Sequence, residues 1–490
     1  MSGMGFSSRQ RVAIFLMIVL AVAALAMVSG FIVTSLQYSN PVSLTKTIVD
    51  VVGATPSNVP LSPSPVPTTS PEADSGSPTP PIGIWSQVQA ARLFDQIAYQ
   101  VESLRGLPPR TEVPLSFLSA GDMTLLWQRY HREHNTLEQL LAFHELNLLP
   151  AVPGRFRVHP AAGVYIVDQG QMFVEMNSQE DSLDDQSLLA YAYAHALQDQ
   201  HFDLEAIDLR ATTTDATLAG RALIEGDAMV LTALYRYGTF SQTDWEALTD
   251  LIVQAEEPEY DQALEEAIVW RRLKRFPYWE GRLFAQTLFE SGGWEAVNMA
   301  YVIPPRSTTQ ILHPDQYLTV TMGTGTGPGP DFPIQVIVPD LGETLGDGWA
   351  RQLHDTLGEL SIGLYLSAQL PEEVAWQAAE GWNGDTMVIW GKGDGVRSGE
   401  GESVVGERLI VWRTIWDSIE EATEFEDALN AWVRQRYLPV RPLESAPQGL
   451  AGRWWEVNEG AVWLSRTARY VLWVVGPDVE TIVRVGKVLP

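Results

Sequence analysis

"LLAYAYAHALQDQHFDLEAI" occupies residues 188–207. Its length and apolar content predict a buried helix that ends in a polar, histidine-bearing turn. The second landmark is "GRALIEGDAMVLTALY", residues 220–235. There Glu225 shares a helical stripe with Leu218, Ala222 and Met229. A carboxylate on an apolar stripe is costly without a partner, so one is expected. Gly226 beside it permits a close helix–helix approach.

Working outward, "SQVQAARLFDQIAYQVESLRGL" and "DMTLLWQRYHREHNTLEQLLAFHELNLL" carry apolar residues at helical spacing. Residues 161–177, "AAGVYIVDQGQMFVEMN", alternate around a polar turn and predict two short strands. Helices are predicted at 183–202, 214–238, 243–256, 258–275 and 279–291. The loop "GTGTGPGPD", 323–331, divides the folded part. After it, "DGWARQLHDTLGELSIGLYLSAQL" is predicted helical. "DTMVIWG", "ERLIVWRTIW", "GRWWEV", "AVWLSRT" and "YVLWVVG" are predicted strands. "IEEATEFEDALNAWVRQRY" is predicted as an amphipathic helix with acid at its start and base at its end, and "DVETIVRVGKVL" as a closing helix. The expected fold class is α+β: a mostly helical part with a short hairpin at 84–322, then a smaller α+β domain at 332–490.

The chain has 490 residues, 45% of them hydrophobic and 19% charged, enough for a large core. Its net charge is −29. Such a surface repels phosphate backbones, so nucleic acid is not expected as a partner. Cysteine is absent, which excludes disulfides, thiolate metal sites and a cysteine nucleophile. Residues 12–33, "VAIFLMIVLAVAALAMVSGFIV", carry no charge and are long enough to span a bilayer core of about 30 Å. Arg9 and Arg11 precede this run, which places 1–11 in the cytoplasm and the bulk of the chain outside. Cleavage after this run, at "AMVSG", is the alternative reading. Residues 34–83 hold a Pro/Ser/Thr-rich stretch that predicts a semi-extended stalk.

A zinc peptidase of the H-E-x-x-H type places two imidazoles at i and i+4 on one helix face, with the Glu between them activating a metal-bound water. Counting back from His195, the first-ligand position holds Tyr191 and the base position Ala192. "HALQDQHFDL" followed by "ALIEGDA" resembles a family of bacterial, often membrane-anchored, gluzincin-like zinc metallopeptidases whose members read HEYTHALQDQHFDL and then EGDA. "STTQILHPDQYL", 307–318, and "GWNGDTMVIW", 381–390, resemble further blocks of that family. The resemblance is dense over 193–228 and sparse elsewhere. It implies that His195 stands for the second zinc-binding His, Glu225 for the third ligand and Tyr193 for the central Tyr. Tyr191, Ala192 and Ala194 replace the first His, the base and the Thr, and Asp227 completes the vestigial positions. A catalytic zinc needs three protein ligands and an open position. No cofactor is therefore expected, with zinc at His195 and Glu225 the one left open.

Without metal, a His195–Glu225 hydrogen bond satisfies both groups. His313 is a candidate cleft residue. His131 and His134 could reach one metal but read as a solvated helix face. His144 lacks a second His, since Leu148 stands at that position. His201 is expected to help end its helix. The expected function is a non-catalytic, membrane-anchored binder of peptide, protein or envelope polymer. The alternatives are a metal-dependent peptidase with an unorthodox site and a purely structural surface module.

Overall fold

Residues 188–194 are buried without interruption, so the helix that carries them is packed on all sides rather than on one stripe. The computed structural model describes residues 87–133, 162–175, 182–256, 268–321, 333–393 and 407–490. The expected membrane span, the stalk, His134, His144 and the loop at 323–331 lie outside the described residues. No described helix is long and apolar enough to cross a membrane.

The first part runs α1 (Gln87–Arg105), β1 (Leu115–Leu118), α2 (Ala120–Glu133), β2 (Gly163–Ile166), β3 (Gln171–Glu175), α3 (Leu183–Phe202), α4 (Leu204–Arg210), α5 (Thr214–Tyr237), α6 (Gln242–Glu256), α7 (Ile268–Val302), α8 (Thr308–Leu312) and α9 (Pro314–Thr321). Helix α3 starts where Ser182 Oγ accepts the Asp185 N–H at 3.0 Å, with Asp184 and Asp185 in its first turn. It stops at Asp203, which adopts a left-handed conformation (φ 59°) and donates its N–H to Asp199 O. Gly226 of α5 and Gly281 of α7 bring two backbones into contact. A Cβ on Gly226 would lie 2.0 Å from Gly281 O, and one on Gly281 would lie 2.3 Å from Ala222 O.

Two expectations change here. The predicted hairpin at 161–177 forms as β2 and β3, but β1 also joins it, parallel to β3, giving the order β1-β3-β2. The separate helices expected at 258–275 and 279–291 are replaced, over the described residues, by one helix through Pro277. It bends instead at Gly292 and Gly293. Phe276 and Tyr278, each 1% exposed, clamp the segment around the proline, so tertiary packing outweighs the local breaker.

The second part runs α10 (Gly342–Leu345), β4 (Trp349–Asp355), α11 (Gly358–Ser367), α12 (Glu372–Gln377), β5 (Trp382–Lys392), β6 (Glu407–Trp416), α13 (Ile419–Arg436), β7 (Arg441–Pro442), β8 (Arg453–Val457), β9 (Gly460–Thr467), β10 (Tyr470–Gly476) and α14 (Val479–Gly486). Its sheet has the order β4-β5-β6-β10-β9-β8-β7, with every neighbouring pair antiparallel. The helix expected from 347 onward starts only at Gly358. Residues 349–355 form an edge strand because β5 supplies a hydrogen-bonding ladder that local sequence does not reveal. One side chain layer packs Trp412, Trp416 and Trp473 with α11 and α13. Another packs Trp390, Trp454 and Trp463 with α10 and α14.

The chain is therefore mixed α and β, consistent with α+β, since its large sheet is antiparallel throughout and carries helices packed against it. The described residues all belong to one compact unit. Leu360 and Leu364 of α11 share a core with Leu218 and Ala222 of α5 and Phe284 of α7, so the helical part and the large sheet are packed together.

Candidate functional site

Tyr191 and His195 stand one turn apart on α3, so their rings share a face. The rings meet edge-on, with centroids 4.8 Å apart and planes at 89°. Opposite them α5 presents Glu225. Its Oε2 accepts the Tyr191 hydroxyl and lies 3.4 Å from His195 Nε2. Its Oε1 lies 3.8 Å from Arg221 Nε, one turn earlier on the same helix. Arg221 also donates to Tyr278 OH at 3.2 Å. One hydroxyl donor and two basic groups thus surround one carboxylate.

The other imidazole nitrogen is held as well. Gln198 Nε2 donates to Ile224 O at 3.1 Å, which turns the amide oxygen towards His195 Nδ1 at 2.9 Å. Both ring nitrogens thus face acceptors, Gln198 Oε1 at Nδ1 and Glu225 Oε2 at Nε2, an arrangement that favours the imidazolium, in which both are donors. The same arrangement orients histidines that bind metals.

Burial, reinforced by the charge of Glu225, raises the Tyr191 hydroxyl well above the ordinary phenol range, so it stays a neutral donor. Burial pulls the His195 imidazole down, but Glu225 outweighs it and the group ends above its ordinary value. Burial pushes Glu225 up, yet His195, Arg221 and Tyr191 together bring it below the usual carboxylate range. The result is an ionised Glu225 beside an imidazole inclined to carry charge.

This donor set does not fit a catalytic zinc. Only one imidazole and one carboxylate meet, and no group of three or more His, Cys, Asp or Glu side chains able to hold a metal occurs among the described residues. The third position offers a protonated phenol already donating to the carboxylate. A guanidinium sits where a metal-binding acid is better without one. Ala192, 2% exposed, places a methyl where a base would stand.

The remaining expected residues take other places. Tyr193 points to α1, donating to Glu102 Oε1 at 2.8 Å and meeting Phe94 edge-on. Asp227 is fully buried and receives Arg105 through two bonds, of 2.9 and 3.0 Å, with Tyr301 OH at 2.8 Å. Arg105 in turn lies 4.3 Å from the Trp294 ring centroid and donates to Asn298 at 2.7 Å. Asp227 therefore ties α5 to α1 and α7. His313 pairs with Glu359 Oε1 at 2.8 Å, at the junction with the large sheet. His201 Nε2 donates to Pro108 O at 2.8 Å and pins the end of α3 to the turn after α1. His131 lies in α2.

Sequence reasoning missed Arg221 and Gln198. The signals were present: Arg221 precedes Glu225 by one helical turn, and Gln198 follows His195 by three residues.

Residues 344–486 match the model of a family described as a domain of unknown function, DUF8575. The match covers the large sheet and its helices and leaves the His195–Glu225 site outside. No curated protein and no solved structure matches the chain.

Proposed function

We propose that this chain is a membrane-anchored, extracytoplasmic protein on a zinc-metallopeptidase-like scaffold that has given up hydrolysis. In this reading it acts by binding peptide, protein or envelope polymer. One observation carries the loss of hydrolysis: Glu225 accepts the Tyr191 hydroxyl and is flanked by His195 and Arg221, with Ala192 in the place of a base. Without general acid–base help an amide-cleaving site loses about 10²–10⁴ in rate. The uncharged run at 12–33 and the stalk supply the anchor and the reach.

The retained Gln198–His195 bond supports the scaffold's metallopeptidase ancestry, since an imidazole needs that restraint in order to aim one nitrogen at a metal. A double substitution tests the reading. Tyr191→His with Ala192→Glu rebuilds the missing ligand and base. The double variant should take up one zinc per chain by isothermal titration, where the wild type takes up little. A folded double variant that binds no zinc would overturn the scaffold assignment.

A further inference from the structure

Four of the chain's 32 Lys and Arg residues fall within five positions, "RRLKR" at 271–275, in a protein of net charge −29. They stand near the start of α7. Three of them, Arg271, Arg272 and Arg275, line one wall of a cavity of about 580 Å³. Facing walls come from Glu246 and Asp250 of α6 and from Glu372 in the first turn of α12. Trp279, two turns beyond Arg272 on α7, completes it with Glu280. The volume is that of a small-molecule site, about 300–1,000 Å³.

The fold does not use up these cations. Arg275 pairs closely with Asp250, at 2.6 Å. Arg272 reaches Glu280 only at 3.6 Å and lies 5.6 Å from the Trp376 ring centroid. Burial pushes Glu280 up to about 7 against the pull of Arg272, Arg282 and Arg275. At neutral pH it therefore claims only part of the Arg272 charge. Arg271 is exposed and has no ionic partner among the described residues. Arg271 and Arg275 stand at i and i+4, as do Glu246 and Asp250 on α6, and like charges so placed destabilise a helix. The Arg275–Asp250 pair offsets one member of each set and leaves the others. The aromatic wall is fixed from behind. Arg282, itself buried, lies 4.4 Å from the Trp279 ring centroid and 4.7 Å from that of Trp245.

We propose that this cavity binds a carboxylate-bearing sugar unit of an acidic polysaccharide, with the carboxylate on Arg271 and Arg272, the hydroxyls on Glu246 and Glu372, and the ring against Trp279. A guanidinium grips a carboxylate through paired N–H groups. A side-chain carboxylate accepts hydroxyl hydrogens. An indole offers a broad apolar wall. The mixed lining thus matches a ligand with one negative charge and several hydroxyls. A phosphate dianion fits it less well, because the acids on the facing walls repel the second charge. A peptide also fits less well. Every lining residue lies in a helix, whose main chain is already bonded, so no strand edge is offered. The cavity is distinct from the His195–Glu225 pair: Tyr278 turns to Arg221, while Trp279 points about 100° round the helix. The inference goes beyond the proposed function and does not need a metallopeptidase ancestry, so its failure would leave the zinc test of that ancestry untouched.

Isothermal titration of the full chain with trigalacturonate at low salt tests this. One site per chain is expected, with the neutral galactose trisaccharide binding at least about tenfold more weakly. Arg271→Ala and Arg272→Ala alter side chains that face solvent, so both should fold. Each should weaken binding of the acidic trisaccharide about tenfold or more, the loss of a bond to a charged group. Arg351→Ala, an exposed arginine on β4, should leave it unchanged, which separates the site from the general field of the protein. Absence of binding, equal binding of the neutral trisaccharide, or unchanged binding in both cavity variants would overturn the inference. Tighter binding of inorganic phosphate or of trialanine at the same arginines would overturn it too, by assigning the cavity to a plain anion or to a peptide.

Discussion

Tyr191→Phe is the sharpest probe of the site, because it removes one hydroxyl and no carbon. Little cavity forms, so the loss is the hydrogen bond itself. A bond to a charged acceptor contributes about 1.5–3 kcal/mol. The other donors cannot take it over: His195 Nε2 at 3.4 Å and Arg221 Nε at 3.8 Å both lie beyond the 2.7–2.9 Å of a strong charge-assisted bond. The expected cost is about 2 kcal/mol, a roughly thirtyfold rise in the unfolding constant. Equilibrium urea unfolding at mildly acidic pH measures it. A double-mutant cycle with Glu225→Gln should give a coupling of about 1 kcal/mol or more, against the 0.3–0.5 kcal/mol within which unconnected sites add. Tyr193→Phe, which loses its bond to Glu102 instead, should show no coupling to Glu225. Additive behaviour of Tyr191 and Glu225 would refute the reasoning that the phenol occupies the carboxylate.

Other outcomes follow from the same contacts. Asp227→Ala strands the Arg105 charge in the core and should cost about 3–5 kcal/mol in urea unfolding. Arg275→Ala, which breaks the exposed pair with Asp250, should cost less than about 1 kcal/mol. The His195–Glu225 pair should produce two opposite pH limbs. Glu225 lies below its ordinary value, so its contribution is lost as pH falls through that lowered value. His195 lies above its ordinary value, so its contribution is lost as pH rises through the raised one. Glu225→Gln should flatten both limbs in melts across the acid-to-neutral range. Limbs that persist would assign them to other groups.

The pairing across α3 and α5 was expected from the zinc-peptidase motif and the resemblance that goes with it, while helical spacing decided which residues share a face within each helix. Tyr191 and His195 are one turn apart, and Glu225 lies on an apolar stripe with Gly226 beside it. The bounds of α3 were legible as well, since the helix expected at 183–202 is observed from Leu183 to Phe202. Elements whose state depends on distant partners were not legible. Residues 349–355 become a strand only because β5 lies alongside, and β1 exists only because β3 offers an edge. Asp227, two residues after Glu225, turns to another side of the helix, where its partner Arg105 comes from α1. His313 reads as a cleft candidate by itself. Its actual neighbour, Glu359, becomes apparent only once the sheet part folds against α5. Sequence spacing within one helix is a fixed geometry, whereas contacts between elements far apart in the chain have no local signature.

Metal analysis of the wild-type protein, purified from zinc-containing medium, bears most directly on the central claim. The account predicts zinc well below one per chain and no peptide cleavage, because Tyr191 and Arg221 hold the carboxylate that a metal would need. Stoichiometric zinc removable by a chelator, together with cleavage that disappears on its removal, would contradict it.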